Sequence, residues 1–100
     1  MINDNTLNFI RFSSGFNNLK KEELEAFAEN EIFELNEYNA SEGRQGKYFY
    51  TLEDVNTNGT LKSYIIECLK LSLQTRWGNN LEYHIDRKTK YLNKLTGMQV

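Results

Sequence analysis

The chain has 100 residues and a mass of 11.8 kDa, with 39% apolar and 26% charged residues. It is therefore one small domain with one core, too apolar for a disordered chain and too short for a two-domain enzyme. The net charge of −2 hides an asymmetry: residues 1–60 carry 5 basic and 11 acidic side chains, residues 61–100 carry 7 basic and 3 acidic ones.

The first six residues are polar and are expected to be disordered. Leu7–Phe12 has apolar residues at 7, 9, 10 and 12 and reads as a short strand, broken by Ser13-Ser14-Gly15. Leu19–Glu29 reads as a helix, because Leu24, Phe27 and Ala28 share one face while Glu22, Glu25 and Glu29 occupy the other. Asn30 is positioned to stop it. The preferred continuation is a strand over Glu31–Tyr38, which holds Ile32, Phe33, Leu35 and Tyr38; the rival is a longer helix, since Leu35 and Tyr38 keep the helical spacing. A loop over Asn39–Gly46 leads to the clearest strand, Lys47–Val55, with its Tyr48-Phe49-Tyr50-Thr51-Leu52 core.

The turn Asn56–Gly59 suits a hairpin, but the polar stripe Ser63, Glu67, Lys70 and Gln74 has helical spacing and the residues between are mostly apolar. A largely buried helix over Leu61–Trp77 follows, capped by Thr60 and ended by Gly78. Leu81, Ile85, Lys88, Leu92 and Leu95 repeat at 4-3-4-3 and predict a helix with Asn80 as N-cap and Gly97 as stop, against a rival hairpin around Arg87-Lys88-Thr89. The expected fold class is α+β: a short antiparallel sheet packed by two or three helices.

Catalytic groups are scarce. His84 is the only histidine and Cys68 the only cysteine. Cys68 sits between Ile66 and Leu69 on the most apolar helix and reads as inert packing. A lone histidine makes no metal pair. No disulfide can form within the chain, and no basic-then-apolar leader or apolar run longer than three residues occurs, so a cytoplasmic protein is expected. Asp54, Asn56, Asn58 and Gly59 match the first half of a calcium loop, but Ile65 stands where the bidentate Glu belongs. Gly43-Arg44-Gln45-Gly46 has the spacing of a backbone-clamping GXXG loop, but it leads into a strand where two helices are required. No enzyme, cofactor or metal is expected.

Surfaces remain. Glu22–Glu42 contains eight Glu and no Lys or Arg. The candidate protein-binding residues are Glu22, Glu25, Glu29, Glu34, Glu37 and Tyr38, with Tyr38 or Tyr48 as aromatic anchor. The alternative is a nucleic-acid site at Arg76, Arg87, Lys88, Lys90 and Tyr91, where cations would hold phosphates and rings would stack bases; the pI near 5.4 argues against it. Both charge clusters also fit a bland reading as solvated faces that attract each other across the fold. The small size, the 13 Asn without proline and the acidic stretch are similar in style to small phage and mobile-element antagonists, such as anti-CRISPR and toxin-immunity proteins. That similarity spans the whole chain and rests on no motif. It implies a non-enzymatic inhibitor that blocks a nucleic-acid-handling protein or ribonucleoprotein through the acidic face, with self-association as a further option and no membrane partner.

Overall fold

The computed structural model describes the backbone of residues 1–77 and 81–97, and the side chains of 1–72 and 81–97. Among these residues there are four α-helices, two 3₁₀ turns and no strand. The helices are α1 (Asp4–Ser14), α2 (Lys21–Ser41), α3 (Gly59–Trp77) and α4 (Leu81–Thr96); the 3₁₀ turns, Gly46–Tyr48 and Leu52–Asn56, lie between α2 and α3. The α+β expectation is thus corrected to an all-helical fold. Gly78 and Asn80, the expected stop of α3 and cap of α4, lie outside the described residues.

The segment expected as the first strand forms the body of α1. Asn3 Oδ1 accepts from the Thr6 N–H at 2.8 Å, and Gly15, at φ 82°, donates its N–H to the Arg11 carbonyl. These are an N-cap and a left-handed C-terminal stop. Thr6, Leu7 and Ile10 face the core. Phe9 and Phe12, the aromatic residues that favoured a strand, are 49% and 86% exposed. The residues before α1, expected to be disordered, are tied down: the Ile2 side chain is fully buried, and its N–H donates to Glu25 Oε2 at 2.8 Å. The Asn3 N–H donates to Asn56 Oδ1 at 2.9 Å.

The second expected strand, Glu31–Tyr38, is part of an unbroken α2. Leu24, Ala28, Ile32, Leu35 and Asn39 form its buried row, a spacing of three and four residues that only a helix brings to one face. Asn30 is an exposed position in mid-helix. At the entry, the Lys20 N–H donates to Glu23 Oε1 at 2.9 Å, which fixes the first turn.

The third expected strand, Lys47–Val55, is extended only locally, with Phe49 at φ −107°, ψ 128° and Thr51 at φ −120°, ψ 169°. No strand lies beside it, so side chains of α2 satisfy its backbone. Asn36 Oδ1 accepts from the Tyr50 N–H at 2.9 Å, and the Asn36 amide donates to the Tyr50 carbonyl at 2.8 Å. The Asn39 amide donates to the Tyr48 carbonyl. The same segment reaches α4, where the Tyr50 hydroxyl donates to the Leu95 carbonyl at 2.9 Å, one of the end-of-helix acceptors that lack an intrahelical partner. Gly97 ends α4 at φ 76°, and a Cβ there would come within 2.7 Å of the Tyr48 ring. Segment 48–50 therefore fastens α2 to the end of α4.

The helix expected over Leu61–Trp77 is present as α3. Its N-cap is Asn58, whose Oδ1 accepts from the Leu61 N–H at 2.9 Å, not Thr60. Leu61, Ile65 and Leu69 enter the shared core, and α3 packs against α1, α2, the second 3₁₀ turn and α4. The helical alternative for residues 81–95 is the one adopted. The molecule measures 37 × 31 × 18 Å, so its short dimension is about two helix layers deep.

Candidate functional site

The acidic residues expected to form one patch are sorted by the geometry of α2. Glu22, Ala26, Asn30 and Glu34 form one exposed row at i, i+4 spacing, and Glu29, Phe33 and Glu37 form the neighbouring one. Phe33 is 63% exposed in the middle of these carboxylates. Among the described residues, no ion pair involves Glu22, Glu29, Glu34 or Glu37. Glu25 lies apart, half-buried and engaged with the Ile2 N–H. Tyr38 and Tyr48 are half-buried on either side of Arg44, whose guanidinium carbon is 5.9 Å from each ring centroid. The exposed aromatic ring of the acidic face is thus Phe33. The strand expectation for 31–38 concealed it, because a helix stopped at Asn30 does not carry the exposed row from Glu29 on to Phe33 and Glu37.

The basic cluster is divided as well. The Arg76 side chain lies outside the described residues. Lys90 is exposed, and Lys88 leans over the Tyr64 ring, its Nζ 5.8 Å from the centroid. Arg87 and Tyr91 are brought together: an Arg87 Nη group donates to the Tyr91 hydroxyl at 2.9 Å and the other to Tyr83 at 3.3 Å. The centre of this arrangement is Glu67 on α3, whose side chain is only 3% exposed. Arg87 Nε donates to its Oε2 at 3.1 Å, His84 Nδ1 lies 3.1 Å from Oε1, and Lys70 Nζ is 3.7 Å from Oε2. The hydrogen bond to Glu67 raises the Arg87 pKa still further. Chemically, the cluster is a neutralised carboxylate that pins α4 to α3 and aims Arg87 outward.

Beside it a cleft of about 170 Å³ opens between α1, α3 and α4, lined by Phe9, Ser13, Ser63, Lys70, Arg87 and Tyr91 among others. Sequence reasoning missed Glu67, Lys70 and Phe9 as a group. The available signal was complementarity: the stripe Ser63, Glu67, Lys70 on one helix matches His84, Arg87, Tyr91 on the next, and two polar stripes of matching charge mark a docking line.

The remaining look-alikes have structural explanations. The calcium-loop residues are caps and braces. Asp54 Oδ2 accepts from the Thr51 N–H at 2.7 Å, the Asn56 amide donates to the Met1 carbonyl at 2.8 Å, and Asn58 caps α3. Gly43 and Gly46, at φ 75° and 65°, turn the chain between α2 and the first 3₁₀ turn. Cys68 is 4% exposed, with its Sγ 3.6 Å from Glu31 Oε1; burial, reinforced by Glu31, pushes its thiol up to about 12. Among the described residues, no three His, Cys, Asp or Glu side chains are placed to hold a metal. No described helix is long and apolar enough to cross a membrane. Comparison with protein-family models, with curated proteins and with solved structures finds no match to this chain.

Proposed function

We propose that the chain is a non-enzymatic binding module whose outer α2 face docks on a basic protein surface, such as a groove that a nucleic-acid-handling protein offers to phosphates. The observation that supports this reading is the solvent-facing Phe33 between Glu29 and Glu37 on an acidic helix face. A ring of this kind contributes about 1.5–3 kcal/mol when buried against a partner. Surrounding carboxylates speed the encounter and reject acidic surfaces. They remain available because the helix itself supplies no cation opposite them: between Glu22 and Glu42 there is no Lys or Arg. A partner held this way loses access to nucleic acid by direct occlusion.

The test is comparative affinity capture with the whole chain and a variant carrying Phe33→Ala, Glu29→Lys and Glu37→Lys, all at exposed positions. The expected result is a basic protein retained by the wild-type chain, released by added salt and absent with the folded variant. Retention of the same proteins by both chains contradicts the proposal.

A further inference from the structure

The cleft between α1, α3 and α4 contains no residue of the α2 face and has its own chemistry. Lys70 and Arg87 line it, and Lys62 Nζ sits 5.9 Å from the centroid of the Phe9 ring at its edge. Glu67 is the one carboxylate among its lining residues, and Arg87, His84 and Lys70 already surround it. The locality is thus positive on a chain that is negative overall. Among the described residues, no hydrogen bond engages the hydroxyl of Ser13 or Ser63, although both face the cleft. Arg87 uses one N–H toward each of Glu67, Tyr83 and Tyr91, which leaves two of the five guanidinium donors free. Phe9 presents a half-exposed ring beside these donors.

Cations, free hydroxyl donors and an exposed ring within one small concavity form a recognisable set. Cations and hydroxyls hold phosphate oxygens, and a ring stacks a base regardless of its sequence. At about 170 Å³, the cleft is smaller than the roughly 300–1,000 Å³ of drug-sized sites. It has room for one phosphate and part of the adjoining unit, with the base lying on the Phe9 ring at the rim. We propose that this cleft binds a single unpaired nucleotide, its phosphate held by Lys70, Arg87, Ser13 and Ser63 and its base stacked on Phe9. A free mononucleotide and one nucleotide of a single strand share this chemistry. A duplex does not, because its base faces are covered.

The experiment uses the full chain at 50 mM salt. Anisotropy of a fluorescein-labelled 12-mer of deoxythymidine or uridine reads strand binding, and amide chemical shifts during titration with uridine monophosphate read binding of the free nucleotide. Phe9→Ala combined with Lys70→Ala is expected to weaken binding at least about tenfold, the loss of one stacked base and one phosphate contact. Phe49→Ala is expected to change it less than about twofold, since Phe49 is 42% exposed and lies outside the cleft. Both substituted residues are partly exposed, and thermal melting followed by circular dichroism checks that the variants fold. Shifts at Ser13, Ser63 and Lys70 with the mononucleotide assign the site to free nucleotides, and binding of the strand alone assigns it to single-stranded nucleic acid. The proposal is overturned if neither ligand binds, if the double variant binds as well as wild type, or if inorganic phosphate reproduces the same shifts at the same concentration. The α2 face enters none of these readouts, so this result and the capture experiment stand or fall separately.

Discussion

Two neighbouring side chains on α3, Glu67 and Cys68, show how little of a residue's role its type reveals. Both are buried, and they face different helices. Glu67 is held by Arg87, His84 and Lys70 across the α3–α4 contact. Removing one member of a buried pair costs about 3–5 kcal/mol because the other is left uncompensated. The Arg87 side chain is 42% exposed and can turn toward water, so Glu67→Ala is expected near the lower end, a loss of about 3 kcal/mol. Glu67→Gln, which keeps the shape and loses the charge, is expected to lose about 1–2 kcal/mol. Urea denaturation measures both, and an unchanged midpoint for Glu67→Ala rules out the pinning role. Cys68 gives a pH signature. Its thiol rises from an ordinary 9.0 to about 12 through burial and then Glu31, so the native chain holds a proton that the unfolded chain releases. The resulting stabilisation is complete below pH 9 and is lost as pH rises toward 12. Urea titrations are expected to show stability falling in that window, by up to about 1.4 kcal/mol per pH unit from this group. Cys68→Ala flattens the fall; an identical slope in the variant contradicts the assignment.

At the scale of elements, α3 was legible because its polar stripe repeats at helical spacing through largely apolar surroundings, and α4 because Leu81, Ile85, Lys88, Leu92 and Leu95 repeat at 4-3-4-3. α1 and the second half of α2 were not, because Phe9, Phe12 and Phe33 are exposed. A reading that takes every aromatic ring as inward finds short strand-forming apolar runs at 7–12 and at 31–38 where the true periodicity belongs to Thr6, Leu7 and Ile10, and to Ile32, Leu35 and Asn39. Segment 47–55, read as the clearest strand, is extended only around Phe49 and Thr51 and is flanked there by 3₁₀ turns. What composition cannot reveal is its partner, the side-chain amides of Asn36 and Asn39 in place of a second strand. Of the candidate sites, the acidic stretch was visible in sequence as a run of charge; the anchor inside it and the cleft between α1, α3 and α4 required the helical register. The continuity of α2 has a direct test at Asn30. Proline in a helix interior removes a hydrogen bond and clashes with the preceding turn at a cost of about 3 kcal/mol or more, whereas proline just after a helix end is tolerated. Asn30→Pro is therefore expected to lower stability by about 3 kcal/mol in urea denaturation and to reduce the helical circular dichroism signal. A variant as stable as wild type contradicts an unbroken α2.

For the whole molecule, the charge asymmetry along the sequence does not collapse into mutual neutralisation. Among the described residues, the cations Lys70 and Arg87 pair with Glu67 of their own half, and no ion pair joins the outer α2 carboxylates to the C-terminal third. The outer face of α2, about 30 Å long at 1.5 Å per residue, therefore keeps its field toward solvent. A field of this kind acts on the rate of encounter more than on the lifetime of the complex, and salt screens it beyond about 10 Å at 0.1 M. The most direct measurement is the association rate constant of the captured partner as ionic strength rises, for the wild-type chain and for a Glu29→Lys, Glu34→Lys, Glu37→Lys variant. The wild-type rate is expected to fall steeply with salt, and the variant to associate about tenfold more slowly at low salt with a flat dependence. Equal rates and equal salt dependence for the two chains would contradict a function exerted through the acidic face of α2.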